Sequence, residues 1–338
     1  GVNIRAGSRV VSTLPLGAIG KGQSYFPFVL FLSQDVHEDL LREQLSRAGV
    51  TIEWGTELVG IEGEDGERVR ARLRALDGET DLDTCYLCGA DGAHSAVRRL
   101  LGIGFPGHTD SKLFFVADAE IEGGVEVPAL ELCVNPSGMA AVMPSRDAGA
   151  LRYLGLVPPE LEGGRDLTLE QVAGPVLKQT GHRIRRVNWF STYRVHHRVA
   201  ERFRAGPVFL LGDAGHVHSP AGAQGMNTGI GDAVNLGWKL ADVIEGGARP
   251  ELLDSYEPER IAFARELVRG TDHAFTLMAG RGWTGRFMRE VVVPHVAARA
   301  MRLKFVQRLM FRTVSQTRIA YRDSPLSSGR AGRIAAGN

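Results

Sequence analysis

The chain has three cysteines in 338 residues. That odd, low count supplies no disulfide framework. It has no excess of either charge: 40 Lys and Arg stand against 39 Asp and Glu, a formal net charge of +1. Global charge therefore selects neither for nor against a polyanionic partner. No apolar run approaches the about 20 residues needed to span a bilayer, and no secretory signal is present. These absences argue against a disulfide-rich secreted domain and against integral membrane association. They fit a cytoplasmic setting and give no reason to expect nucleic acid. Apolar content of 43% and charged content of 23% are ordinary for a globular protein. The length is enough for two domains.

Metal-ligand patterns are also scarce. Cys85-Tyr-Leu-Cys88 lies in an apolar run that reads as a strand. Residues three apart on a strand face opposite sides, so the two thiols read as buried small apolar side chains rather than as a redox or zinc pair. No second CxxC exists. His216 and His218 form an HxH pair and His196-His197 are adjacent. Neither has a carboxylate or thiol at convincing spacing, so no metal site is expected and His216 reads as a brace for its loop.

The informative part is Gly212 to Leu240, GDAGHVHSPAGAQGMNTGIGDAVNLGWKL. It follows Val208 to Leu211, an apolar run bounded by Gly206-Pro207 that reads as a buried strand. Asp213 then sits where strand gives way to loop, the place where open parallel sheets collect ligands. Pro220, Gly222 and Gly225 line the loop, and glycines let a backbone approach a ligand face. From about Asn227 the pattern turns helical, with Ile230, Val234, Leu236, Trp238 and Leu240 as its apolar positions. A glycine-lined loop feeding a helix start presents free N–H groups to an anion.

Elsewhere, spacing predicts strands at 26–32, 50–54, 58–62, 68–76 and 81–87, and a helix over 34–48 with Leu40, Leu41 and Leu45 on one face. A short helix follows Asp91-Gly92 and stops at Gly102. Short strands at 112–121, 129–134, 138–143, 151–157 and 185–195, with one helix over 168–180, suggest a second, mostly antiparallel unit. Residues 250–317 read as helical, broken near 280–285 and at Pro294. Arg281 to Arg318 holds nine Lys or Arg and one acidic residue, Glu290. It reads as a helical flank, with Leu303, Val306, Leu309 and Met310 inward and its charges solvated. The tail from Ser324 reads as flexible.

The Gly212–Leu240 segment resembles the second flavin-binding motif of the FAD-dependent aromatic hydroxylases (group A flavoprotein monooxygenases, para-hydroxybenzoate hydroxylase-like). The match runs from GD through HxxxP and GxxGxN to DAxNLxWKL. Gly89-Ala-Asp-Gly-Ala-His-Ser-Ala-Val-Arg98 resembles the family's central DG motif, and Leu32 to Leu41 its glutamine-bearing helix start. All three occur in the family's order.

The resemblance implies an α/β fold: a Rossmann-like FAD-binding domain with an inserted, mostly antiparallel α+β substrate domain and a helical C-terminal segment. The expected boundaries are 1–103 and 206–249 for the FAD domain, 104–205 for the substrate domain, 250–323 for the helices and 324–338 for the tail. The family's first strand, GxGxxG turn and helix, which hold the ADP half of FAD, have no counterpart here. Gly17-Ala-Ile-Gly20-Lys-Gly22 has the wrong spacing, and the chain starts at Gly1. The FAD domain is therefore expected to be N-terminally truncated and to bind FAD weakly or not at all.

The implied activity is hydroxylation of a phenol-like or polyketide aromatic substrate with NAD(P)H and O2, through a flavin C4a-hydroperoxide. The alternatives are a catalytically incompetent fragment or another flavin reaction on this fold. Halogenation is not favoured, since Trp54, Trp189, Trp238 and Trp283 form no WxWxIP motif. A homodimer is possible. The implied FAD contacts are Gly212, Asp213, Pro220, Gly222, Gly225, Met226 and Asn227, with Asp213 on a ribityl hydroxyl. Gln34 is either a flavin contact or a helix cap. Asp91, Gly92, His94 and Arg98 belong to a motif linked to both FAD and NAD(P)H. Arg98 either pairs with a pyrophosphate or braces the Asp91 turn; His94 either touches the nicotinamide cofactor or is an exposed histidine. No catalytic residue is assigned.

Overall fold

The computed structural model describes the chain except residues 15, 16, 18, 31, 65, 67, 124–129, 136–137, 146, 148, 165, 220–223, 281, 332–333 and 336–338. The fold is mixed α/β. In chain order it begins with β1 (Val2–Ala6), β2 (Arg9–Leu14) and α1 (Gln34–Arg47). There follow β3 (Glu57–Glu62), β4 (Val69–Ala75), β5 (Gly78–Thr84), β6 (Leu87–Gly89) and α2 (Ala96–Leu100). Next come β7 (Gly107–Ile121), β8 (Leu130–Asn135), β9 (Gly138–Pro144), β10 (Ala150–Leu156), α3 (Leu169–Val172), α4 (Gly174–Thr180) and β11 (Ile184–Val199). Then come β12 (Arg204–Ala205), β13 (Val208–Leu210), β14 (His216–Val217), α5 (Gly225–Ile244) and α6 (Tyr256–Ala279). The chain ends with α7 (Trp283–Phe287), a π-helical stretch Met288–Ala297, α8 (Ala298–Ala300), α9 (Lys304–Val314) and a two-stranded ribbon, β15 (Arg330–Ala331) and β16 (Ile334–Ala335).

The chain divides into two units. The first comprises Gly1–Thr51, Asp110–Val195 and His273–Thr317. Its sheet runs β11-β7-β10-β9-β8-β1-β2. The β7/β10, β10/β9, β9/β8 and β1/β2 ladders are antiparallel, and β1 joins β8 in parallel. Alternation along β7 drives Phe115, Ala117 and Ala119 into a core closed by Leu169, Val172 and Val176 of α3 and α4. Asp118 points the other way and receives a two-pronged bond from Arg152, at 2.9 and 2.7 Å.

The second unit comprises Ile52–Thr109, His196–Asp272 and Arg318–Asn338. Its meander β3-β4-β5 buries Val69 and Ala71 and turns Arg70, Arg72 and Arg74 outward. Those arginines pair across the ladder with Asp83, Asp81 and Glu79, at 2.9, 3.3 and 2.7 Å. Exposed pairs contribute little singly; they favour this register by placing opposite charges face to face. Beside the meander, β12, β13 and β6 form a second small sheet. Phe203, Val208, Phe209, Leu210, Leu236 and Tyr256 form the unit's core.

Several expectations need correction. Residues 1–51 cluster with the strand-rich unit, not with residues 52–103, and the β1/β2 hairpin was not foreseen. Strands expected at 26–32 and 50–54 are absent among the described residues; Pro27 cannot donate to a ladder, and Val50, Ile52 and Trp54 are exposed rather than packed in a sheet. The helix expected over 168–180 is two, separated at Ala173. Pro294 does not break the chain's helical course, which is interrupted instead between Ala300 and Lys304.

In the basic flank Leu303 and Leu309 are exposed and Met301 and Phe311 buried; Arg289 is buried rather than solvated, its guanidinium bonded to the Asn135 and Gly280 carbonyls at 3.1 and 2.7 Å. Ser324 is buried, its hydroxyl bonded to Glu259 at 2.6 Å, and β15 pairs with β16, so the tail begins as fixed structure. Cys85 and Cys88 are exposed rather than buried: Cys85 lies between β5 and β6, and Cys88 is on the outward side of β6. Among the described residues no helix is long and apolar enough to cross a membrane.

The turn from β12 to β13 depends on Gly206, whose φ is +54°; a Cβ there would also sit inside the contact shell of the Glu64 carbonyl oxygen. Gly206→Ala should destabilise the protein by at least about 1 kcal/mol. A lowered denaturant midpoint with unchanged slope is the expected result.

Candidate functional site

Strands β6 and β13 lie side by side in parallel, with Val208 opposite Leu87, Phe209 opposite Cys88 and Leu210 opposite Gly89. All three residues of β13 are fully buried, which suits an apolar run with no polar alternation. The Leu211 amide donates to the Gly89 carbonyl at 2.9 Å, and the Tyr256 hydroxyl donates to the Leu210 carbonyl at 2.8 Å. The Asp91-Gly92 and Gly212-Asp213 loops, about 120 residues apart in sequence, therefore leave the carboxyl ends of neighbouring parallel strands. Ligands of open α/β sheets bind at such ends.

The first loop is held by its own polar groups. The Asp91 carboxylate accepts from the Val97 amide at 3.0 Å, and the Ser95 hydroxyl caps α2 by accepting from the Arg98 amide at 2.9 Å. Arg98 is 6% exposed. Its guanidinium donates to the Ala214 carbonyl at 2.7 Å and the Ala93 carbonyl at 2.8 Å, and it lies 3.8 Å from the centre of the Phe105 ring. Arg98 thus ties one motif loop to the other. Burial pulls its guanidinium below the ordinary value, against the raising effect of Asp91.

The second loop is held by Asp232. Its Oδ2 accepts from the Gly212 amide at 2.9 Å and from His216 Nε2 at 2.8 Å; its Oδ1 accepts from Arg260 Nε at 2.6 Å. Arg260 also donates to the Thr228 carbonyl and the Tyr321 hydroxyl, at 3.2 and 3.1 Å. Burial opposes the charge on Asp232, but His216, Arg260 and the Gly212 amide outweigh it and hold the carboxyl below the usual range. Gly212 and Gly229 pack backbone to backbone: a Cβ on Gly229 would lie 3.3 Å from the Gly212 Cα. That approach brings the first turn of α5 against the loop.

Helix α5 is inverted relative to the expected pattern. Its buried residues are Thr228, Asp232, Asn235, Leu236 and Lys239, while Ile230, Val234 and Trp238 are exposed. The buried polar residues all have partners. Lys239 donates to Glu259 at 2.7 Å and Asn235 at 2.9 Å, and Asn235 donates to Glu259 at 2.7 Å. Burial lowers the Lys239 pKa in spite of Glu259, and the bonds from Lys239, Ser324 and Asn235 hold Glu259 below its usual value against the opposing effect of burial.

The expected contact residues separate into three groups. Asp91, Gly92, His94, Arg98, Gly212, Asp213, Gly225, Met226 and Asn227 all belong to the second unit. Asp213 and His94 are exposed, and among the described residues the Asp213 carboxylate has no hydrogen bond. Met226 and Asn227 are exposed in the first turn of α5, where among the described residues the N-cap Gln224 makes no side-chain cap bond. Gln34 belongs to the first unit, at the start of α1, and bonds Glu38 at 3.0 Å. Pro220 and Gly222 lie outside the described residues. Asp232, Tyr256 and Arg260 were missed. Asp232 stood inside the matched DAxNLxWKL run, but Arg260 carries no spacing signal.

Asp232→Asn should leave the Arg260 charge buried without its counter-charge and cost about 3–5 kcal/mol at neutral pH. The folded-state pKa of Asp232 lies below the unfolded value. Its contribution is therefore present above the carboxylate range and lost as the pH falls through it. Urea midpoints should differ widely at pH 7, and the difference should shrink on acidification.

The family described as FAD binding domain matches residues 18–271. The chain is 36% identical over 314 residues to 6-methylpretetramide 4-monooxygenase of Streptomyces rimosus, covering 92% of this chain and 56% of that protein. It is 32% identical over 274 residues to pentachlorophenol 4-monooxygenase of Sphingobium chlorophenolicum, covering 77% and 50%. Among solved structures, anhydrotetracycline hydroxylase of Streptomyces rimosus matches with a TM-score of 0.74 at 28% identity, covering 99% of this chain and 66% of that one. The p-nitrophenol 4-monooxygenase of Pseudomonas putida matches with a TM-score of 0.78 at 25% identity, covering 93% and 80%. The chain spans about half the length of the curated relatives it matches. With two motif loops on adjacent strand ends, and with these matches over most of its length, the chain belongs to the FAD-binding family of flavin-dependent aromatic hydroxylases.

Proposed function

We propose that this chain carries the flavin site of an FAD-dependent monooxygenase that hydroxylates an aromatic ring, of phenolic or polyketide type, using NAD(P)H and O2. The observation that carries this reading is the pairing of the two motif loops. An exposed Asp213 carboxylate and the uncapped start of α5 lie on one loop and its following helix; Asp91, Gly92 and His94 lie on the other. Relatives named for oxidation of tetracycline precursors, pentachlorophenol and nitrophenol support an aromatic substrate.

The residues fit FAD. The Asp213 carboxylate can accept from a polyol hydroxyl, and a charged acceptor strengthens such a bond. The amides of Gly225, Met226 and Asn227 offer donors and a positive helix end to the electron-rich edge of the ring. His218 Nε2 is buried without a hydrogen-bond partner among the described residues, and it lies 4.0 Å from where a Gly225 Cβ would stand. Its other nitrogen bonds the Ser219 carbonyl at 2.8 Å, so Nε2 is aimed at the α5 start. The bound FAD would supply the redox chemistry itself. We assign Arg98 to positioning, because both of its bonds go to motif-loop carbonyls, and His94 to the nicotinamide cofactor, because it is exposed beside that loop.

Equilibrium titration with FAD, read by flavin fluorescence, tests the site. Asp213→Ala should weaken FAD binding about 10- to 150-fold, the equivalent of about 1.5–3 kcal/mol for a charged hydrogen bond. Equal affinity would remove Asp213 from the site. Absence of FAD binding both by the unmodified protein and by the same chain joined to a strand–GxGxxG–helix unit would overturn the reading.

Arg98 and His94 should separate in kinetics. Arg98→Ala should lower the melting temperature and the flavin content together. His94→Ala should leave both unchanged, while raising KM for NAD(P)H and slowing flavin reduction in stopped flow. Normal reduction kinetics in His94→Ala would exclude the nucleotide role.

A further inference from the structure

His108 at the start of β7, His197 near the end of β11 and Asp272 in α6 come from three separate stretches and meet within the second unit. The His197 side chain is 1% exposed, Asp272 35% and His108 56%. His108 Nε2 lies 3.6 Å from Asp272 Oδ1, and His197 Nδ1 lies 3.7 Å from that same oxygen. The two imidazole rings are 10° from parallel, with centroids 4.9 Å apart. One ligand atom from each of the three residues lies within 4.8 Å of the other two.

Both nitrogen–oxygen separations are too long for hydrogen bonds. They are close to the edges of a coordination polyhedron. A tetrahedral centre with bonds of about 2.0–2.1 Å has ligand–ligand edges of about 3.3–3.4 Å. The two measured edges exceed that by a few tenths of an ångström, and the third, between the two imidazoles, lies within 4.8 Å, so the side chains draw together on a bound cation. Neighbouring contacts fix the strands that carry the histidines. Thr109 Oγ1 and His196 Nδ1 are 2.8 Å apart, and Arg198 donates to the Phe105 carbonyl at 3.1 Å.

We propose that His108, His197 and Asp272 form a site for a divalent transition cation of the zinc type. Two imidazoles and one carboxylate are donors that zinc accepts readily. Three protein ligands leave a coordination position open. His197 also lines a cavity of about 300 Å³, together with Pro106, Gly107, Glu201, Arg265 and Arg269. That cavity gives a fourth ligand room.

Zinc titration of the purified full chain against a chromophoric chelator tests the proposal. Binding should reach one equivalent, and cobalt in its place should give the visible d–d bands of a tetrahedral centre. Loss of a direct ligand in His108→Ala or Asp272→Asn should weaken zinc binding by more than the about 10- to 100-fold typical of an outer-shell partner. His108 is largely exposed, so its variant should fold; a melting curve without metal checks this. Zinc should raise the melting temperature of the unmodified protein and not that of His108→Ala. The exposed thiols of Cys85 and Cys88 are a competing site, so Cys85→Ser/Cys88→Ser should retain the zinc. Uptake below one equivalent, equal affinity in His108→Ala and Asp272→Asn, or binding lost only with the two cysteines would each overturn the proposal.

Discussion

The Asp232 carboxylate is the interaction on which the candidate site depends. It joins four pieces of chain: the Gly212 amide in the motif loop, His216 after it, helix α5 that carries the carboxylate, and Arg260 of α6. Removing such a charge from water is costly, and only close, well-directed partners offset the cost. Asp232 has three. The network is therefore better suited to specifying one loop geometry than to adding stability, since an apolar cluster of the same volume would stabilise as well.

This constraint explains the inverted helix. Asp232, Asn235 and Lys239 occupy the buried stripe of α5 because their partners, Arg260 and Glu259, arrive from α6. The apolar residues Ile230, Val234 and Trp238 are left on the other side. Two buried ion pairs, about two turns apart on α5, then fix both the rotation and the axial position of the helix. Its first turn, with Gly225, Met226 and Asn227, is delivered to the loop that ends at Asp213. Arg98 performs the matching task between the two loops, through the Ala93 and Ala214 carbonyls. A ligand site assembled this way is rigid where its scaffold is buried and open where its polar groups await a partner. Rigid support of that kind is what electrostatic preorganisation requires.

Local order along the chain was legible wherever short-range physics set it. The alternation in β4, the helix from Gln34, the strand before Gly212 and the motif runs around Asp91 and Asp213 could all be read directly, because each depends on neighbours within a few residues. Two kinds of feature were hidden. Elements whose stability comes from a distant partner were misjudged: β1 exists as a strand because β8 pairs with it in parallel, and among the described residues the apolar run at 26–32 has no such partner strand. Side chains with two possible environments were misjudged as well, as with the exposed Cys85 and Cys88 and the exposed Leu303.

The sequence by itself determined the family and marked the two motif loops, because a motif of nearly thirty residues encodes backbone geometry locally. Tertiary structure decided what each side chain does inside that frame. Arg98 became a brace because Ala214 was brought to it. Arg260 became the counter-charge of Asp232 across 28 residues, and His108, His197 and Asp272 converged from three stretches that no spacing rule connects. The reason is physical. Hydrogen bonds and ion pairs act over a few ångströms in space, and folding alone sets which distant residues come within that range.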